Sequence, residues 1–125
     1  MRASEDWSCP VARAARVLGD PCTLLILRDV REGPRRFGEL LGSAAGNTRL
    51  LSGRLRRLVR VGVLTRTCLP GHPQRVEYEL TPMGRDLLPC VNVLRGFGER
   101  WLPDCRDPLE QGASVCAPSL RDPEV

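Results

Sequence analysis

Ten arginines lie between residues 31 and 75 (Arg31, Arg35, Arg36, Arg49, Arg54, Arg56, Arg57, Arg60, Arg66 and Arg75) against only Glu32 and Glu39, a local net charge of +8. Residues 1–30 are neutral and residues 76–125 carry −4, which leaves +4 for the chain. Lysine is absent, so all 19 basic side chains are guanidinium groups. A planar fork of N–H donors suits phosphate oxygens and the O6/N7 edge of guanine. A block of such charge can bind a polyanion through counterion release. The competing reading of charge alone is a solvated basic face.

The second set of reactive groups is six thiols, Cys9, Cys22, Cys68, Cys90, Cys105 and Cys116, with His72 as the only histidine. No pair forms C-x-x-C, which argues against a thioredoxin-like enzyme. The lack of clustered Cys and His ligands argues against structural zinc, and neither metal nor cofactor is expected. The stretch Met1–Asp6 lacks the apolar core of an export signal. The thiols are therefore expected to stay reduced in the cytoplasm unless a redox event oxidises them. The longest apolar run, Leu24–Leu27, falls far short of the roughly 20 residues a bilayer requires, so no membrane partner is expected. A Gly-rich phosphate loop, paired carboxylates and a Ser-His-Asp set are all missing, so an enzyme reading has little support; a thiol reductase is its least poor form.

A chain of 125 residues can bury one real core, and its punctuation divides it into short elements. Pro10 and Gly19 bracket a first helix whose Val11, Ala14, Ala15 and Leu18 form one apolar stripe. Asp20 as N-cap and Pro21 at N1 start a second helix, residues 21–32, the most apolar, which Gly33-Pro34 ends. Arg35–Phe37 reads as an extended stretch or turn, with a short third helix from Phe37 to about Gly42. Asn47 is a good N-cap for a fourth helix over 48–61. Residues 64–69 and 75–81 read as strands joined by a loop, Pro70–Gln74; in the second, Val76, Tyr78 and Leu80 alternate with charged residues. Thr81-Pro82 opens a fifth helix to about Leu102, which Pro89 should bend. Residues 103–125 are expected to be irregular and mobile, so the expected division is a domain over 1–102 followed by a tail.

Three short helices, a two-stranded hairpin and a further helix make an α+β, mainly α, order: that of a winged helix-turn-helix with a two-stranded wing and a long C-terminal dimerisation helix. On the fourth helix Leu51, Leu55 and Leu58 fall within about 60° of one another and should face the core. Arg49, Ser52, Gly53, Arg56 and Arg60 lie opposite. Arg49 and Ser52, with Asn47 and Thr48 at the N-terminal end, are the expected base-edge side, while Arg56 and Arg60 are expected to meet phosphates. His72, Gln74 and Arg75 form the expected DNA-contacting wing tip, where Arg75 can enter a minor groove or hold a phosphate; His72 could sense pH, although a lone loop histidine is usually only solvated. Arg35 and Arg36 can clamp the backbone before the third helix, although Arg36 could instead pair with Glu39.

These residues resemble the HxlR-type winged-helix transcriptional regulators, relatives of the MarR type. The likeness rests on Cys9-Pro10, on Thr23-Leu24-Leu25-Ile26-Leu27-Arg28, and on Gly33 to Leu40 read as Gly-x-x-Arg-Phe-x-Glu-Leu. It continues through Leu51-Ser52 to Gly62 and, most specifically, Arg75 to Gly84 read as Arg-Val-Glu-Tyr-x-Leu-Thr-x-x-Gly. It covers about residues 9–101. Cys22 departs from the family's usual tryptophan, Pro21 from a basic residue and Gly53 from a polar one. The resemblance implies a homodimeric, DNA-binding regulator of bacterial transcription, expected to repress; a dimer with two equivalent reading helices would make its double-stranded DNA operator roughly palindromic. Some members sense oxidants or electrophiles through a cysteine near the N-terminus, a place Cys9 matches.

Leu87, Val91, Leu94, Phe97 and Trp101 lie near one face of the fifth helix and, with Val11 and Leu18 of the first, are the expected two-fold interface. Cys22 and Cys90, both in apolar helical stretches, are expected to be core thiols. The runner-up function is a winged-helix protein-interaction module that does not bind DNA.

Overall fold

The computed structural model describes residues 7–102 and 107–111; Cys105 and Cys116 lie outside them. The chain forms two compact units that divide between Leu88 and Pro89.

In the first unit α1 (Pro10–Leu18) begins after Cys9 and ends at Gly19, whose N–H donates to Ala15 O at 2.8 Å. A Cβ on Gly19 would stand 2.5 Å from that same oxygen, so only glycine fits. No residue of α1 is buried. The Asp20 carboxylate caps α2 (Pro21–Val30), accepting from Thr23 N at 3.3 Å and Thr23 Oγ1 at 2.7 Å. Cys22, Ile26, Leu27 and Val30 are buried, as their apolar setting predicts.

Helix α3 (Phe37–Ala44) starts where Glu39 Oε1 accepts from Arg36 N at 2.8 Å. It runs through Gly42 rather than stopping there. Leu40 and Ala44, one turn apart, are both buried, and that burial outweighs the cost of about 1 kcal/mol for an internal glycine. Helix α4 (Thr48–Val61) has the predicted bounds. Asn47 Oδ1 caps it, accepting from Leu50 N at 3.0 Å, and Gly62 ends it in the left-handed region at φ 106°.

The sheet has three strands in the order β1-β3-β2, not the two expected. Strands β2 (Leu64–Leu69) and β3 (His72–Leu80) form the antiparallel hairpin, and β1 (Arg35–Arg36) adds to the far edge of β3. Two residues are too few to show a period of their own; the pairing of Arg35 with Tyr78 and Arg36 with Glu77 makes the strand. The hairpin turn is only Pro70-Gly71, with Gly71 at φ 77°. Cys68 pairs with Val76 but Leu69 with His72, so residues 73–75 form a bulge inside β3 instead of an open loop.

Thr81 joins the sheet to the last helices. Its N–H donates to Val63 O at 3.0 Å, and its hydroxyl accepts from Gly84 N at 3.0 Å as the cap of α5 (Pro82–Arg85). A Cβ on Gly84 would sit 2.3 Å from Val63 O, so the chain can pass here only as glycine. The continuous fifth helix expected from Pro82 is broken at Asp86-Leu87. A separate helix, α6 (Leu88–Trp101), follows, with Pro89 at its second position. There proline lacks no needed donor, so it helps start a helix rather than bend one. Cys90 is exposed, contrary to its expected core role; the buried position belongs to its neighbour Val91. In the stretch expected to be irregular, Pro108–Gln111 form a short helix, α7.

Candidate nucleic-acid interface

Leu51, Leu55 and Leu58 are 0–1% exposed. With one face of α4 so fixed, the opposite side is turned outward: Arg49, Arg56 and Arg60 are exposed, and Ser52 and Gly53 are half-buried. Asn47 and Thr48 are exposed at its N-terminal end. Arg56 reaches back to Ser52 Oγ at 3.5 Å, a long contact that orients the guanidinium along the helix.

The arginine block does not act as one. Arg54 Nε donates to Asp20 Oδ2 at 2.9 Å, and an Arg57 guanidinium nitrogen donates to Asp20 Oδ1 at 3.1 Å and to Val17 O at 3.3 Å. Both side chains are 31% exposed and their partner 22%. Burial by itself would raise the Asp20 carboxyl. The hydrogen bonds from Arg54 and Thr23 outweigh it, so its pKa lies below the usual aspartate value. Arg54 and Arg57 thus anchor α4, and the outward arginines of the helix are the other three. Burial, and after it the same carboxylate, pushes the Cys22 thiol up, which disfavours its thiolate.

Beside the outward face of α4 runs a groove of about 560 Å3 lined by Ser52, Arg56, Arg60, Phe37, Arg66 and Tyr78. A second groove of about 560 Å3 shares Phe37, Arg66 and Tyr78 and continues past Arg36, Gln74 and Arg75. Helix and wing therefore form one basic trough. Arg36 is exposed and its guanidinium is not paired to Glu39, which bonds the Arg36 backbone N–H instead. Arg35 is half-buried and donates to Pro34 O at 3.0 Å. His72, Gln74 and Arg75 are exposed, the last two in the bulge of β3.

Arg66 belongs to this site, although it was expected to contribute only to the net charge. It pairs with Tyr78, which pairs on its other side with Arg35, so the three residues lie in one row across the sheet. The signal was present: Arg66 alternates with Leu64, which is only 1% exposed, and so shares its helix-facing side.

A capped helix with a basic outer face beside a hairpin with a basic edge defines a winged helix-turn-helix. Residues 17–106 match the HxlR-like helix-turn-helix family, and the chain belongs to it. It is 44% identical over 93 residues to an uncharacterized HTH-type transcriptional regulator of Mycobacterium tuberculosis, covering 74% of this chain and 59% of that protein; the chain thus spans under two thirds of that relative's length. Among solved structures, PA1607 is similar at 37% identity with a TM-score of 0.72, covering 86% of this chain and 76% of that one. The redox regulator HypR in its oxidized form is similar at 31% identity with a TM-score of 0.70, covering 80% of this chain and 100% of that one.

The remaining expected site residues belong to the supposed interface between copies. Val11 is 75% exposed, Leu94 44% and Phe97 54%; Leu18, Leu87 and Trp101 are half-buried, and Val91 is buried. Val93, at 71%, is an exposed apolar residue of α6 outside the expected set. Cys9 is half-buried and stands at the N-cap of α1 without a side-chain capping bond. Among the described residues no group of three His, Cys, Asp or Glu side chains could hold a metal ion, and no helix is long and apolar enough to cross a membrane.

Proposed function

We propose that the chain is a transcriptional regulator that binds double-stranded DNA as a homodimer, laying α4 in the major groove and the wing along the adjacent backbone. The observation that carries this is the continuous basic trough running from Ser52, Arg56 and Arg60 to Arg66 and Arg75. Arg49 and Ser52 read base edges, with Asn47, Thr48 and Gly53 beside them. Arg36, Arg56, Arg60, Arg66 and Arg75 hold phosphates, and Arg35, His72 and Gln74 border them.

Dimerisation is supported by unpartnered apolar surface. No residue of α1 is buried, and α6 exposes Val93, Leu94 and Phe97. A two-fold dimer sets its reading helices about 34–36 Å apart and therefore reads a palindromic operator. Binding of such an operator across a promoter represses. Cys9 is the thiol at which an oxidant or electrophile acts. It is supported by its half-buried place beside α1 and by the likeness to HypR.

The test is capture of genomic fragments by the purified protein, followed by titration of an enriched fragment across a salt series. A DNA binder loses affinity steeply as salt rises, with a slope near −0.9 per phosphate neutralised. Absence of enrichment, or a flat salt response, overturns the reading in favour of a protein-interaction module. The thiol is tested by adding diamide to wild type and Cys9→Ser; an equal response of the two removes Cys9 from the mechanism.

A further inference from the structure

The two grooves of the basic trough differ in charge. Arg56, Arg60 and Arg66 wall the one beside α4, and among the described residues no carboxylate lines it. The one toward the wing tip includes Glu39, so an anion is held best in the first. The floor of that first groove is apolar, made by half-buried Phe37 and Val59 and by the ring of Tyr78. Tyr78 lines both grooves, is 8% exposed and stands opposite Arg66 on the same face of the sheet. Among the described residues no group hydrogen-bonds its hydroxyl, and the unpartnered side-chain atoms sealed from the surface are Asp29 Oδ2 and Arg57 Nε instead. The phenol therefore opens on the trough with its donor unused. We propose that this floor is a phosphate subsite, in which the Tyr78 hydroxyl donates to a non-bridging oxygen of the DNA strand that runs between α4 and the wing.

The subsite rests on the DNA-binding reading and names a contact within it. A major groove and the minor groove beside it are divided by one sugar–phosphate strand. A helix in the first, with a hairpin alongside, straddles that strand, and the trough is the space between them. The walls and floor match its parts. Arg56, Arg60 and Arg66 meet the charged oxygens, while Phe37 and Val59 meet the sugar carbons. Once the strand closes the groove, water is excluded and the phenol must find its acceptor on the strand. A phosphate oxygen accepts it in a short, charge-assisted bond. The arginines reach phosphate on long, mobile stems, whereas burial fixes the Tyr78 ring. Its hydroxyl therefore sets where the strand lies, and with it how deeply α4 enters the groove. Such a contact fixes register and orientation and carries no sequence information of its own. Tyr78 is thus a positioning residue for the reading helix.

The probe is a synthetic duplex of an enriched genomic fragment, titrated with full-length wild type, Tyr78→Phe and Arg66→Ala. Tyr78→Phe removes one unpartnered oxygen, so its melting temperature should equal that of wild type. Its DNA affinity should fall about tenfold. The salt slope should not change, because a neutral donor displaces no counterion, whereas Arg66→Ala should reduce that slope by about 1. Methylphosphonate substitution of the duplex, one position at a time, locates the acceptor. At one phosphate of each half-site the loss should be several-fold smaller for Tyr78→Phe than for wild type. Unchanged affinity of Tyr78→Phe overturns the subsite, as does an equal loss for both proteins at every phosphate. A lowered melting temperature shows that the hydroxyl is bonded within the protein and overturns it too. A salt slope reduced by about 1 in Tyr78→Phe shows that the ring acts through a guanidinium group and overturns the direct contact. If wild type binds no DNA, the DNA-binding reading and the subsite fall together; if it binds and Tyr78→Phe binds equally well, only the subsite falls.

Discussion

The Asp20 carboxylate accepts a hydrogen bond from Arg54 Nε at 2.9 Å across 34 positions of sequence. The same group accepts from Arg57 and from the backbone and hydroxyl of Thr23. One residue in the link between α1 and α2 thereby caps α2 and holds α4 at a defined position. Helix α4 is set from behind by a charge its outer face does not show.

Replacing Asp20 separates those two tasks. Asp20→Ala loses the cap and both ion pairs, and should lower unfolding free energy by about 1–3 kcal/mol. Asn is as good an N-cap as Asp, so Asp20→Asn keeps the first and loses the second. Its smaller loss, on the order of 1 kcal/mol, measures the partly exposed pairs. Urea unfolding of the three proteins is the measurement. Equal losses would assign the whole effect to the pairs.

Acid should act on the same group. The folded pKa of Asp20 lies below its ordinary value of 3.8, because hydrogen bonds from Arg54 and Thr23 outweigh the opposing effect of burial. The folded state therefore favours the ionised form more than the unfolded chain does. That contribution to stability is fully present above about pH 4 and is lost as pH falls through the folded value. Asp20→Asn has no such carboxyl, so its deficit against wild type should shrink below pH 4. A deficit constant down to pH 2.5 would contradict the proposed linkage.

The arginines should sort into two groups by phenotype. Arg60→Ala and Arg66→Ala remove outward guanidinium groups of the trough. Each should leave the melting temperature nearly unchanged and, if it meets a phosphate, reduce the salt slope of DNA binding by about 1. Arg57→Ala removes the donor to Asp20 and to Val17 O, and should destabilise the fold by about 1 kcal/mol or more. Paired melting and DNA titrations distinguish them. A stability loss at Arg66 equal to that at Arg57 would make Arg66 part of the packing.

How much of this was legible in the sequence depends on the range of the interaction. Asn47, Gly62 and the spacing of Leu51, Leu55 and Leu58 specify α4 locally, and its ends and inward face follow from them. The pairing of Arg35–Arg36 with β3 is non-local and only two residues long, so no period announces it. Which arginines stay free is set by Asp20, whose distance along the chain hides the contact from any helical wheel. Arg66 is legible as well, because its alternation with Leu64 sets it on the face of β2 that the buried leucine shares. The break after Arg85 hinged on Pro89, which suits a helix start as well as a kink.

The apolar side chains of α6 carry the dimer prediction. Phe97 and Leu94 are 54% and 44% exposed, and burying such groups between copies is favourable by about 25 cal/mol per Å2. Phe97→Asp should shift the sedimenting species to 13.9 kDa. It should also weaken DNA binding at least tenfold through loss of the second contact. Wild-type protein that sediments at 13.9 kDa at micromolar concentration would remove the interface altogether.

On the proposed reading of α4, Gly53 sets stability against recognition. It lies inside α4, outside the positive-φ glycines, and a Cβ added there meets nothing within 4 Å. Nothing in the chain therefore requires glycine, which costs a helix interior about 0.8–1 kcal/mol relative to alanine. The added methyl of Gly53→Ala should stabilise the protein by up to about 1 kcal/mol and stand between α4 and the bases. We expect a higher urea midpoint together with DNA affinity lowered at least fivefold. A gain in stability with unchanged affinity would instead mean that the helix meets DNA along its Arg56–Arg60 edge, with Gly53 turned toward solvent.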